Sequence, residues 1–145
     1  MSEQTQMITA GWREWVALPE LGIARLKAKM DTGARTSCLH SFFVEPFERD
    51  GQHWVRFHVH PHQNDNDTVV ECEARIKDER PVTDSGGHTE MRYVIETLLQ
   101  MGDQQWPVEM TLTNRDTMKF RMLVGRTAML NRIVIDPALS FRFGR

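Results

Sequence analysis

A period of two runs through this chain and constrains its fold more than any other feature. From Ala24 to Met30 apolar and cationic residues alternate, so the even positions can face a core while the odd ones face water. Trp12 to Val16, Ser41 to Val44, His53 to His60, Val69 to Ile76, Arg92 to Met101, Val108 to Thr113 and Ile133 to Ile135 also read as strands. Asp50-Gly51 and Gly102-Asp103 supply hairpin turns, and Pro19 with Gly22 supplies another reversal. Only Thr127 to Asn131 reads as helix, with Thr127 placed to cap it. With no internal repeat or linker, the pattern predicts one domain over residues 1–145. It should be an all-β, closed or partly closed small barrel with one short helix near the C-terminus.

At the end of the Ala24 to Met30 run stands Asp31-Thr32-Gly33-Ala34, and far downstream stands a hydrophobic-Gly partner, Leu123-Val124-Gly125-Arg126. A carboxylate delivered by a strand and followed by a glycine is held rigidly without burial among apolar side chains. Taken alone, Asp-Thr-Gly is ordinary strand-to-turn punctuation; paired with the downstream segment it points to catalysis. Amide hydrolysis by carboxylates needs two of them sharing one proton. A chain of 145 residues is too short for two lobes, so a second Asp31 has to come from a second copy. Asp84-Ser85-Gly86 is not that second carboxylate motif, because Arg80-Pro81-Val82-Thr83 is a poor apolar strand and no second hydrophobic-hydrophobic-Gly segment follows.

Four stretches carry a resemblance to a known family. They are Gly11-Trp12-Arg13-Glu14-Trp15 with Leu18-Pro19, Lys27 to Ser37 around Asp31, Ser85-Gly86-Gly87 with Glu90-Met91-Arg92, and Met122 to Arg126. The chain resembles the retropepsin-like aspartic peptidases, specifically the bacterial family long labelled "ATP-dependent zinc protease". The resemblance implies a retropepsin-type barrel acting as a homodimer on peptides. It also implies catalytic roles for Asp31, Thr32 and Gly33, with Thr32 bracing the dyad. Ala34, Ser85, Gly86 and Gly87 would contact substrate, the last three in a flap. Beneath the aspartate loop, Gly125 would allow a strand to pass. Members of this family often accompany ATP-grasp ligases that append glutamates, so a glutamate-rich peptide is the expected substrate.

The arginines fit that expectation. Fourteen of the eighteen cations are Arg, a residue suited to bidentate recognition of carboxylates. Arg35 stands where viral retropepsins commonly carry an acid; with Arg92 and Arg126 it could grip acidic side chains. For Arg126 the competing expectation is an internal pair with Asp116 or Glu90. Hydrophobic residues make up 40% of the chain and charged residues 26%, and the net charge is −2, so neither nucleic acid nor anionic membrane is an expected partner. No stretch reaches the length of a membrane span and the first ten residues lack a secretory pattern, which predicts a cytoplasmic protein. Cys38 and Cys72 are expected to be free thiols.

Two other function classes stay open. One is a noncatalytic peptide-binding module that keeps the barrel and the arginines without a competent dyad. The other is a zinc-dependent hydrolase using His58, His60 and His62, whose spacing would put all three on one strand face, with Cys72 as a supplementary ligand. Pro61 interrupts that triplet and there is no His-Glu-x-x-His, so no metal or other cofactor is expected. Nor is there a Gly-x-x-x-x-Gly-Lys-Ser/Thr loop for ATP.

Overall fold

The computed structural model describes residues 7–62, 67–83, 86–114 and 120–143. Strands β1 (Ile8–Ala10), β2 (Arg13–Leu18), β3 (Ile23–Met30), β4 (Ser37–His40), β5 (Phe42–Arg49) and β6 (Gln52–Val59) fill the first part of the chain. Then follow β7 (Val70–Arg75), β8 (Asp78–Thr83), β9 (Thr89–Met101), β10 (Gln104–Thr113) and β11 (Met122–Val124). One helical turn, α1 (Arg126–Met129), precedes β12 (Ile133–Ile135). No helix among the described residues is long and apolar enough to cross a membrane.

The main sheet has the order β10-β4-β11-β3-β2-β9-β8, and because β9 also pairs with β10 every strand but β8 closes into a ring. Between β2 and β9 the closure rests on one residue pair, Ala17 with Gln100, so the barrel is only partly closed. Alternation produces the expected core. Leu26 and Ala28 of β3, Leu39 of β4, Met122 of β11 and Met110 of β10 are wholly buried inside the ring. At roughly 1.5–3 kcal/mol per large apolar side chain, such burial is the main force closing it. A second sheet, β5-β6-β7, packs Val55, Phe57, Val59 and Cys72 into the same core, and β1 pairs in parallel with β12.

Both expected hairpins form. Asp50 (φ 54°) and Gly51 (φ 76°) are both left-handed, the conformation a two-residue turn needs to match strand twist. Gly102 (φ 61°) opens the turn between β9 and β10. Three expectations need correction. Residues Arg80 to Thr83 do lie in a strand, β8, which pairs with β9 alone and tolerates Pro81 because it lies at the sheet edge. The helix starts one residue early: its N-cap is Gly125, no side chain caps it, and the Thr127 N–H is taken by the Arg35 carbonyl at 3.0 Å. Finally, Ser37 to His40 forms a strand absent from the sequence reading, buried at every position.

The chain's last described segment is clasped to β2. Trp12 N–H donates to the Leu139 carbonyl at 3.0 Å and Phe141 N–H to the Arg13 carbonyl at 2.9 Å. The fully buried Glu14 carboxylate accepts from Gly11 N–H at 2.7 Å and Phe143 N–H at 3.4 Å. From the same stretch the Trp12 carbonyl accepts the Met30 N–H at 2.9 Å, immediately before Asp31.

Candidate active site

β3 ends at Met30, and the chain turns through Asp31, Thr32, Gly33 and Ala34 before re-entering the sheet as β4. Between these two strands lies β11, parallel to β3 and antiparallel to β4, so the loop arches over its C-terminal end. Four backbone donors lace the two parts together. Asp31 N–H donates to the Val124 carbonyl at 2.9 Å, Arg126 N–H to Ala34 at 2.8 Å, and Thr127 N–H to Arg35 at 3.0 Å. The fourth, Gly125 N–H, donates to the buried Ser37 hydroxyl at 3.0 Å. Absence of a side chain at Gly125 is obligatory for this approach: a Cβ there would lie 2.5 Å from the Thr36 carbonyl carbon and 2.8 Å from the Ser37 nitrogen.

Within the loop, Gly33 N–H donates to Asp31 Oδ1 at 3.0 Å and Ala34 N–H to the Asp31 carbonyl at 3.2 Å. The Asp31 carboxylate is thus oriented yet only half-buried, and among the described residues its other oxygen takes no hydrogen bond. One side chain braces the arch from below, the Arg126 guanidinium, which donates to the Thr32 carbonyl at 2.9 Å.

Asp31 opens onto a cleft of about 750 Å³, the volume of a small peptide segment. Gly33, Ala34, Arg35 and Arg126 line one side; Arg80, Pro81, Val82 and Thr83 of the β8–β9 hairpin line the other, and Cys38, Arg92, Thr111 and Leu123 lie across the floor. Of the four arginines, two are held by acids. Arg92 is buried, with Nε on Glu90 Oε2 at 2.6 Å and NH1 near Cys38 Sγ and the Thr111 hydroxyl. Arg80 bonds Asp78 at 2.7 Å and Glu109 at 3.1 Å. Glu109 also meets Lys77 at 2.9 Å, and these partners, Lys77 first and Arg80 second, hold its carboxyl below the usual range. Arg35 and Arg126 enter no ion pair among the described residues.

The chain that builds this Asp-Thr-Gly arch and cleft matches a known protein family over residues 9–144, described as "Retropepsin-like aspartic endopeptidase RimB". The chain belongs to the RimB-like family. Three similar proteins are each named "Probable alpha-L-glutamate ligase". That of Shewanella pealeana is 47% identical over 92% of this chain, that of Parasynechococcus marenigrum 47% over 97%, and that of Desulfotalea psychrophila 46% over 99%. This RimB-like chain spans only 29%, 30% and 31% of their respective lengths. A crystal structure of a protein of unknown function (DUF785) from Legionella pneumophila superposes with a TM-score of 0.80 at 25% identity, covering 95% of this chain and 99% of that one.

In this RimB-like chain the sequence-predicted residues Asp31, Gly33, Ala34, Arg35, Arg92 and Arg126 gather at one cleft. Thr32 is exposed and contributes its carbonyl to the brace. Gly86 and Gly87 lie on the exposed hairpin tip, Gly87 at φ 85°, and the cleft wall is formed instead by the strand residues before them. Ser85, Asp84 and Asp116 lie outside the described residues. Glu90 pairs with Arg92 rather than with Arg126. Sequence reasoning missed Cys38, Thr111 and Arg80 as cleft residues; β4 is buried at every position and so carries no alternation that could have pointed to Cys38.

The histidine triplet does not converge with Cys72. Phe57 and Cys72 are cross-strand partners facing the core, so His58 and His60 point to the opposite face of the sheet. There His60 stacks on Phe42 at 4.3 Å and His58 lies 4.8 Å from Phe43. The Cys72 thiol donates to the Leu21 carbonyl at 3.4 Å, and burial pushes its pKa up to about 12. Among the described residues no group of three or more His, Cys, Asp or Glu side chains could hold a metal ion.

Proposed function

We propose that this chain is an aspartic peptidase that acts as a homodimer, with Asp31 and the partner subunit's Asp31 forming the catalytic dyad. The observation that carries this reading is the laced Asp31 arch at the mouth of the cleft, in a chain of the RimB-like family. Two carboxylates about 3 Å apart cannot both ionise cheaply, so the pair retains one proton. The ionised member takes a proton from a water molecule as the water oxygen bonds to the peptide carbonyl carbon, while the protonated member supports the carbonyl oxygen. Collapse of that adduct breaks the C–N bond, and a proton goes to the departing amine.

The substrate is a peptide rich in glutamate. Arg35 and Arg126 supply cationic groups beside Asp31 that no acid of the described residues neutralises, and the chain's relatives carry the name of a glutamate ligase. An ATP-grasp glutamate ligase is accordingly the functional partner, adding residues that this chain removes. Arg92, tied to Glu90, serves to brace the cleft floor.

The test is hydrolysis of glutamate-rich and neutral peptides by the wild type and by Asp31→Asn, alongside the oligomeric state in solution. Asp31-dependent cleavage by a dimer supports the reading. A strictly monomeric chain that binds acidic peptides without cutting them would instead make it a peptide-binding module.

A further inference from the structure

The outward face of β2 and β3 carries a row of cations with no acidic residue among them. Arg13 and Trp15 point outward from β2; Arg25, Lys27 and Lys29 point outward from β3, and the one acid of this pair, Glu14, faces the core. Register sets the row: Arg13 is opposite Lys29, and Trp15 is opposite Lys27. The Arg25 guanidinium lies 4.0 Å over the Trp15 ring, and Arg13 lies 4.8 Å over the Phe141 ring. Arg13, Arg25 and Lys29 enter no ion pair among the described residues, in a chain whose net charge is −2.

This row runs into the active-site cleft. Lys29 is also opposite Leu123, and Leu123 is opposite Cys38, so the three side chains share one face across β3, β11 and β4. Leu123 and Cys38 line the cleft floor. Outward positions on a strand recur about every 7 Å, the same interval at which an extended peptide presents alternate side chains.

We infer that the Arg25–Lys27–Lys29 edge, with Arg13 beside it, is an exosite that holds an extended acidic segment of the substrate outside the cleft. This rests on the peptidase reading for its purpose, though not for its binding. The fit to a peptide rather than a nucleic acid comes from two features. The aromatic faces are already covered by the chain's own cations and so are closed to base stacking. The row leads directly to a carboxylate poised over a peptide-sized cleft. Cations at the rim of such a site capture an acidic chain mainly by steering and by slowing its escape.

The experiment uses the full chain carrying Asp31→Asn, so that a bound peptide is not consumed, and an end-labelled oligo-glutamate peptide read by fluorescence anisotropy. Arg25→Glu with Lys29→Glu should weaken binding about tenfold or more and flatten its salt dependence, whereas Arg75→Glu on β7 should leave both unchanged. If the charge reversals lower the melting temperature, Arg25→Gln with Lys29→Gln keeps the test intact, with a smaller loss in the same direction. In the Asp31 chain the same reversals should raise KM for glutamate-rich peptides without changing kcat. Asp31-dependent cleavage with unaltered KM and affinity would overturn the exosite and leave the peptidase reading standing. Oligo-glutamate binding that needs Arg25 and Lys29, in a chain that cleaves nothing, would do the reverse. Tighter binding of an oligothymidylate of matched charge would overturn the assignment to acidic peptide.

Discussion

The backbone N–H of Gly125 donates to the hydroxyl of Ser37 at 3.0 Å, and this contact places a strand directly against the chain leaving the Asp31 arch. Nothing larger than hydrogen fits on Gly125, because the Thr36–Ser37 backbone already occupies the position of a Cβ. Gly125→Val should therefore lower stability by about 3 kcal/mol or more, beyond the usual range for an inserted methylene, because the neighbour is backbone and cannot rotate away. Urea unfolding of the wild type and variant measures this. Equal midpoints would mean that β11 and the arch are not in contact.

Arg35 lines the cleft, exposed and free of any ion pair among the described residues, and under the proposed function it would read acidic side chains. Arg35→Ala should reduce kcat/KM on glutamate-rich peptides by about tenfold or more, the worth of a charge-assisted hydrogen bond, while neutral peptides lose little. Equal losses on both substrate classes would make Arg35 a structural strut.

Glu109 links the β8 edge strand to β10 through Lys77 and Arg80, and its folded-state pKa lies below 4.5. A depressed carboxyl pKa stabilises the fold above the unfolded value, and that contribution disappears as pH falls through the folded value. The difference in melting temperature between the wild type and Glu109→Gln should be constant above about pH 5 and shrink steadily in more acidic buffer. A difference that persisted unchanged to the acid limit would place the effect in packing rather than charge.

Cys72 gives the opposite limb. Burial raises its thiol from 9.0 to about 12, so the unfolded chain ionises first and stability falls across that interval as pH rises. Cys72→Ala should be less stable near neutrality, from the cavity it leaves, yet show a shallower alkaline decline from pH 9 upward. Parallel curves for the two proteins would exclude the thiol as the source.

The elements legible in sequence were those whose signal is local. β3 alternates because one face is buried, and Asp50-Gly51 turns because both positions need left-handed backbone. β4 escaped notice because Ser37, Cys38, Leu39 and His40 are all buried, which erases alternation. β8 was hidden by Arg80 and Pro81, residues that suit only an edge strand, and edge status is a property of the assembled sheet. At the site, motif spacing brought Asp31 and Arg126 together. Pairing of Arg92 with Glu90, and of Arg80 with Glu109, depends on register and was visible only in three dimensions.

The position of β11 between β3 and β4 also has a kinetic side. Among the described residues, every hydrogen bond that fastens the Asp31 arch from below is made with residues 124–127, late in the chain, while the carboxylate itself is made early. During synthesis that carboxylate emerges long before this support exists, with only the local bonds from Gly33 and Ala34 to hold it. Support of the Asp31 arch is thus a product of the final long-range pairing. A chain stalled before Met122 would carry the aspartate without the geometry, which ties the onset of any activity to completion of the barrel.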